Sequence, residues 1–244
     1  MAVSKNVGMK VAFGENPKRI YKGKDKTPTT RMATAALLRS WLAQARNYAE
    51  KKEWKVKKGE PYDISTKLEA LLPVINREIP LRAHAHRADD IVTAIRIAHE
   101  YDVRIVIEHC TEGHLIADFL VHNNIPAIVG PSFGSRSKVE LREKTFATPG
   151  ILSQAGVMVS IMTDHPVTSL EYLPLMAGLA VKAGMSKDEA LKAITLHPAC
   201  VLGLEKRIGS IDVGKDADLV LWSGHPLDVT AEVQKVWITG EQVV

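Results

Sequence analysis

Five residues carry the chemistry that this sequence could do: Glu15, His84, His86, His109 and Asp164. Each stands at the end of a short apolar run. "MKVAFGE" ends in Glu15, "IPLRAHAH" in His84 and His86, "VRIVIEH" in His109 and "GVMVSIMTD" in Asp164. Imidazole nitrogens and carboxylate oxygens are the donors that suit Zn²⁺ or a similar divalent ion. An Asp beside such an ion can also accept a proton from a water whose pKa the metal lowers. Taken singly, a histidine at a strand end is most often a hydrogen-bonded polar residue. Four successive run ends with such donors are much harder to obtain by chance.

The runs need elements to hold them. Residues 79–83, 105–107 and 157–162 are near-continuously apolar, as strands buried on both faces are. Helical text lies between several of them: "RADDIVTAIRIAHEY" after His86 and "GHLIADFLVHNN" after His109, followed by the strand-like "IPAIVG". Strands alternating with helices of this length predict βα units and a parallel sheet. In such folds side chains at the C-terminal ends of different strands converge on one mouth. Further helices are predicted over 30–55, over 64–79 with a Thr66/Glu69 capping box, over 169–184, and over 185–204 with a Ser186/Glu189 capping box. From about residue 208 the text changes to short β-type runs broken by Gly and Asp, a small β module.

Composition bounds the partners. The two cysteines, Cys110 and Cys200, match no metal or redox spacing, argue against a disulfide framework and suit a reducing, cytoplasmic compartment. Cys110, beside His109, reads as a buried and inert thiol. No apolar run is long enough to span a membrane, and the first ten residues lack the apolar core of a signal peptide. The net charge of +4 is uneven: residues 1–60 hold 15 Lys/Arg against 5 Asp/Glu, and the rest 17 against 23. That basic quarter is read as a solvated helix face. The aromatics, 5% of the chain, form no stacking platform, so no nucleic-acid partner is expected.

The segments "LRAHAHRADDI", "IVIEHC", "VSIMTDHPV" and, most specifically, "AITLHPACVLGLEKRIGSIDVGKDADLVLW" resemble the metal-dependent amidohydrolase superfamily, in particular imidazolonepropionase-like and prolidase-like amidohydrolases. The resemblance implies an α/β fold: a (β/α)8 TIM-type barrel with a small β-sandwich built from both chain ends. It also implies hydrolysis of an amide or cyclic-amide C–N bond in a small molecule, through water activated by zinc or another divalent metal. By position, Glu15 resembles the carboxylate of strand four, His84 the ligand of strand five, His109 that of strand six, and Asp164 the ligand and general base of strand eight. His86 then faces the substrate or supports the ligands, with His165, Arg136 and Arg19 near the expected mouth.

Spacing decides which strands are present. His84 and Asp164 are 80 residues apart and His84 and His109 are 25 apart, whereas eight βα units take ~250 residues. His84-x-His86 is therefore read on strand five, not as the family's strand-one pair. The expected fold is a partial barrel of strands four to eight over residues 1–207, with the C-terminal part of the composite sandwich over 208–244. A chain lacking the strand-one histidines is expected to be a fragment of the full enzyme. Its partners would be a second copy or the missing N-terminal segment. The alternative is a non-catalytic remnant or one part of a split protein.

Overall fold

The structure is a computed structural model that describes residues 6–244. Contacts divide the chain into two units, Met1–Ile107 and Glu108–Val244. The boundary falls inside one strand, Ile105–His109.

The first unit opens with β1 (Met9–Ala12) and α1 (Glu15–Lys22). The long α2 (Arg31–Lys58) follows, then the short α3 (Thr66–Glu69) and α4 (Leu72–Ile75), β2 (Leu81–Ala85), α5 (Ala88–Glu100) and β3 (Ile105–His109). Thr30 caps α2, its hydroxyl accepting from Ala33 N at 3.1 Å, and Gly59 ends it at φ 69°. Only an achiral residue takes that left-handed cap without strain. In α5 the buried Ile91, Ala94, Ile95 and Ala98 recur at three and four, the stripe of a helix with one face on a core. Asp89 and Asp90 sit in its first turn and His99 in its last, the polarity the helix dipole favours. Arg31 Nε donates to both oxygens of Asp90 at 3.1 and 3.0 Å, joining the starts of α2 and α5. Burial raises the pKa of Asp90 and Arg31 opposes it.

Two departures from the sequence reading occur here. The single helix expected over 64–79 is two short ones, because Pro73 sits in the first turn of α4 and cannot continue α3. Thr66 caps nothing; Ser65 is the cap residue, and Glu69 is drawn to Lys52 and Tyr48. The other departure is α1, eight residues with no buried side chain, which left no apolar period to read.

The second unit carries α6 (Ala117–His122), β4 (Ala127–Val129), α7 (Thr148–Ala155), β5 (Val159–Ile161), α8 (Leu173–Lys182), α9 (Lys187–Lys192) and α10 (Leu196–Leu202). Its core gathers Ile161, Met176, Ala177, Ala180, Met185, Ala190 and Ala193. Ser186 caps α9 as the sequence indicates, accepting from Glu189 N at 3.2 Å. A separate antiparallel sheet closes the chain: β6 (Leu219–Trp222), β7 (Val233–Ile238) and β8 (Glu241–Gln242).

Strands β1 to β5 form one five-stranded sheet in the order β1-β2-β3-β4-β5, with β1 parallel to β2 and β4 parallel to β5. The order follows the chain without reversal. The chain is thus a mixed α/β protein whose helices separate sequential strands, with a small all-β segment at its C-terminal end.

Candidate metal centre

The histidines stand where strands end. In β2, residues two apart share a side. Leu81, Ala83 and Ala85 are fully buried, and His84 alternates with them. His86 continues the alternation just past the strand, with its ring edge-on to that of His84 at 4.8 Å between centroids. Both are buried, at 7% and 5% exposure. Asn16 Nδ2 lies 3.2 Å from His84 Nε2. The amide nitrogen can only donate, so Nε2 is the acceptor of the ring and its single lone pair faces Asn16; an ion bound at this nitrogen would displace that contact.

His109 ends β3 at φ 71° and Cys110 follows at φ 47°. Two side-chain-bearing residues in succession in the left-handed region cost on the order of 1–3 kcal/mol each, and they turn the chain sharply out of the strand. His109 Nδ1 donates to Gly130 O at 2.7 Å. That bond fixes the tautomer and leaves the lone pair on Nε2. Asp164 has the same kind of backbone, φ 52°, just beyond β5.

His84, His86 and His109 each offer one ring nitrogen, and these atoms lie within 4.8 Å of one another. Two nitrogens on one tetrahedral zinc with bonds of ~2.05 Å stand about 3.4 Å apart. The nitrogens of the trio stand up to 4.8 Å apart, wider than that spacing, so they would have to draw together on an ion. All three are buried, so the imidazoles would meet an ion with little competing water. The donor set fits a divalent metal.

Glu15 is the first residue of α1, half-buried, and Asp164 is exposed in the turn after β5. Neither belongs to the group gathered within 4.8 Å. Arg19, Arg136 and His165 are exposed, and Arg136 donates to Lys144 O at 2.9 Å. Glu108 is buried beside His109. Cys110 is fully buried and burial pushes its thiol up to about 12, which agrees with its reading as inert. His114 is half-buried and meets Thr148 Oγ1 at 3.0 Å. His197 reaches Val159 O at 2.9 Å and ties α10 to β5.

Sequence reasoning missed Asn16 and the walls around His109. Asn16 follows Glu15 directly, so its nearness to a candidate was the only available signal. The walls come from residues 130–148, a stretch with no apolar period.

An α/β chain whose sequential strands end in a buried histidine trio is the kind of protein these observations define. The model of the amidohydrolase family matches residues 28–243, and the chain belongs to that family. It is 28% identical over 247 residues to amidohydrolase tasK of Hapsidospora irregularis, covering 95% of this chain and 25% of that protein. It is 31% identical over 166 residues to the imidazolonepropionase of Erwinia tasmaniensis, covering 66% of this chain and 38% of that one. The solved amidohydrolase from Thermotoga maritima MSB8 superposes with a TM-score of 0.96 at 46% identity, over 99% of this chain and 63% of that one. The chain thus spans a quarter to two-fifths of these two curated relatives and under two-thirds of the solved one. Among the described residues no helix is long and apolar enough to cross a membrane.

Proposed function

We propose that this chain is a metal-dependent amidohydrolase acting on a C–N bond, amide or cyclic amide, of a small molecule. The observation that carries the reading is the buried trio of His84, His86 and His109. Family membership and the likeness to an imidazolonepropionase support the bond class. The unreversed strand order supports reading β1 to β5 as strands four to eight of a (β/α)8 barrel. In this reading residues 1–207 form the hydrolase part and 208–244 a β module. The two free cysteines suit a cytoplasmic setting.

The residues divide the work. His84 and His109 would hold the metal, with His86 beside them as a third donor. Glu15 and Asp164, which stand outside that group, would supply carboxylates to the set, and zinc is the ion that imidazole and carboxylate donors favour. When bound, such an ion would polarise the substrate carbonyl and lower the pKa of a water molecule. The Gly130 carbonyl keeps His109 in the tautomer that presents Nε2. An ion at His84 Nε2 would take over the lone pair that Asn16 Nδ2 now faces. Asp164, exposed at its strand end, takes the proton from the attacking water and delivers it to the leaving nitrogen.

Metal analysis of the purified chain tests this. About one zinc per chain is expected, falling below about a tenth in His109→Ala. Zinc retained by His109→Ala, or no metal bound at any loading, overturns the ligand assignment. Asp164→Asn is expected to slow hydrolysis of an amide or cyclic-amide substrate by roughly 10²–10⁴-fold. Stoichiometric zinc with no turnover of any such substrate would favour the alternative, a metal-holding chain that needs a further segment or copy to act.

A further inference from the structure

The connection between β4 and α7, residues 130–147, is far longer than the ~4–6 residues usual between such elements. One side chain organises it. Lys144 Nζ donates to Phe133 O at 3.0 Å, Gly134 O at 2.8 Å and Ser135 O at 3.3 Å. An ammonium has three N–H groups, and here three consecutive carbonyls take them. Arg136, next in the chain, returns a bond to Lys144 O. The Phe133 ring meets Phe146 edge-on at 5.5 Å and Tyr172 at 6.5 Å, and it packs on the core of this unit. The turn is thus pinned by a charge on one side and by aromatic packing on the other. Burial, with Arg136 as a neighbouring cation, lowers the pKa of Lys144. The three carbonyls offset that cost of placing an ammonium there.

The same residues enclose space. Lys144, Ser132, Thr145, Thr148 and Thr111 line a cavity of about 10 Å³ against His109, close to the smallest volume that holds one water. We infer that Lys144 is a positioning residue: its clasp on Phe133–Ser135 fixes the β4–α7 connection as the wall of the cavity at His109, and so sets the shape of the space where a ligand meets that histidine. Lys144 is not a catalytic residue, since its three donors are committed to the loop. An arginine cannot replace it fully, because a planar guanidinium does not converge on three consecutive carbonyls as a compact ammonium does. The inference rests on the reading of His109 as a metal ligand only for the consequence to ligands; the clasp itself stands on the hydrogen bonds.

The experiment compares the full chain with Lys144→Met and Lys144→Arg. Hydrogen exchange followed by mass spectrometry reads peptides from 131–137 and from α8. Lys144→Met is expected to speed exchange in 131–137 by tenfold or more and to leave α8 unchanged, with Lys144→Arg in between. If Lys144→Met does not fold, the arginine variant alone decides: native exchange in 131–137 overturns the clasp. For the cavity, the cobalt-loaded protein is titrated with acetohydroxamate and read by its visible absorption. Lys144→Met is expected to keep the starting spectrum and to bind the hydroxamate about tenfold more weakly. Unchanged affinity in a protein whose loop has loosened overturns the positioning role. Failure to load cobalt in native protein counts against the metal reading and leaves the exchange result to judge the clasp.

Discussion

The two sheets of this protein obey opposite rules. In β2 to β5 almost every residue is buried, on both faces, including the polar His84, Glu108, His109 and Ser160. In β6 to β8 no residue is buried, and the neighbours Val220 and Leu221, which face opposite ways, are both exposed. One sheet excludes water from the residues that can hold an ion; the other leaves its apolar side chains half wet. A buried imidazole loses solvent competition for its lone pair, and a strand of β6–β8 offers no such protection. Chemistry is therefore expected where the sheet is dry, and the candidate donors agree: His84 and His109 lie in strands of the first sheet and His86 directly follows one, while no histidine lies in β6, β7 or β8.

The largest contrast should appear on truncation. Ile107, fully buried in β3, loses its side-chain contacts in Ile107→Ala, at an expected ~2–5 kcal/mol. Val220→Ala in β6, already 47% exposed, should cost about 1 kcal/mol or less. Urea midpoints of the two variants, with unchanged slopes, read the difference. Equal losses would mean that the C-terminal sheet is covered in solution, and the contrast would fail.

Glycines sharpen it next. Gly130, at φ 138°, lets the chain pass so close to β5 that an added Cβ would lie 2.1 Å from Met162 O. Gly240, at φ 86° in the β7–β8 turn, has nothing nearer than Ala217 Cβ at 3.9 Å. Gly240→Ala should therefore cost only the backbone penalty, about 1–2 kcal/mol. Gly130→Ala must displace backbone as well and should cost more. It should also lower metal content, because Gly130 O is the acceptor for His109 Nδ1. Thermal unfolding and zinc analysis of both variants check this; equal shifts would mean that the close approach does no structural work.

The thiols give a chemical version of the same comparison. With burial holding Cys110 up to about 12, its thiolate at pH 8 is on the order of one part in 10⁴. Cys200 is half-buried in α10. Iodoacetamide at pH 8 is expected to label Cys200 in native protein, and Cys110 only after denaturant is added. Native labelling of Cys110 within minutes would show that the turn after β3 opens.

How much of this was legible follows from what each element buries. The runs 105–107 and 157–162 were readable because strands dry on both faces are continuously apolar. α5 was readable because Ile91, Ala94, Ile95 and Ala98 mark one face. α7 was not: its buried residues are Thr148, Pro149, Gly150 and Leu152, and Pro and Gly read as breakers. The candidate ligands were legible as types at strand ends. That donors from different strand ends converge was expected; that His86 joins His84 and His109 was not, and neither was the left-handed backbone at His109 and Cys110, which depends on tertiary packing that no local pattern records. Lys144 had no signal, because its partners are backbone carbonyls that any sequence supplies.

The smallest effect separates the regions by pH. Glu69 of α3 accepts from Lys52 Nζ at 2.7 and 2.8 Å and from Tyr48 Oη at 2.5 Å. Lys52 first, and Tyr48 next, hold its carboxyl below the usual glutamate range. Asp212, ahead of β6, is lowered in the same direction by Ser210 and then Lys215. A depressed folded pKa contributes stability that is present above the ordinary carboxylate value and is lost as pH falls through the folded one. Native protein should therefore lose an increment of stability below about pH 4 that Glu69→Gln and Asp212→Asn each lack. The Glu69 increment should be the larger, because its side chain is 30% exposed against 62% for Asp212, and solvent screens the more exposed pair. Urea midpoints of the native chain and both variants, taken from pH 7 down to pH 3, measure the two increments. An Asp212 increment equal to that of Glu69 would show that the C-terminal segment holds its charges as tightly as the helical layer, and the difference in wetness between the regions would then stop at their apolar side chains.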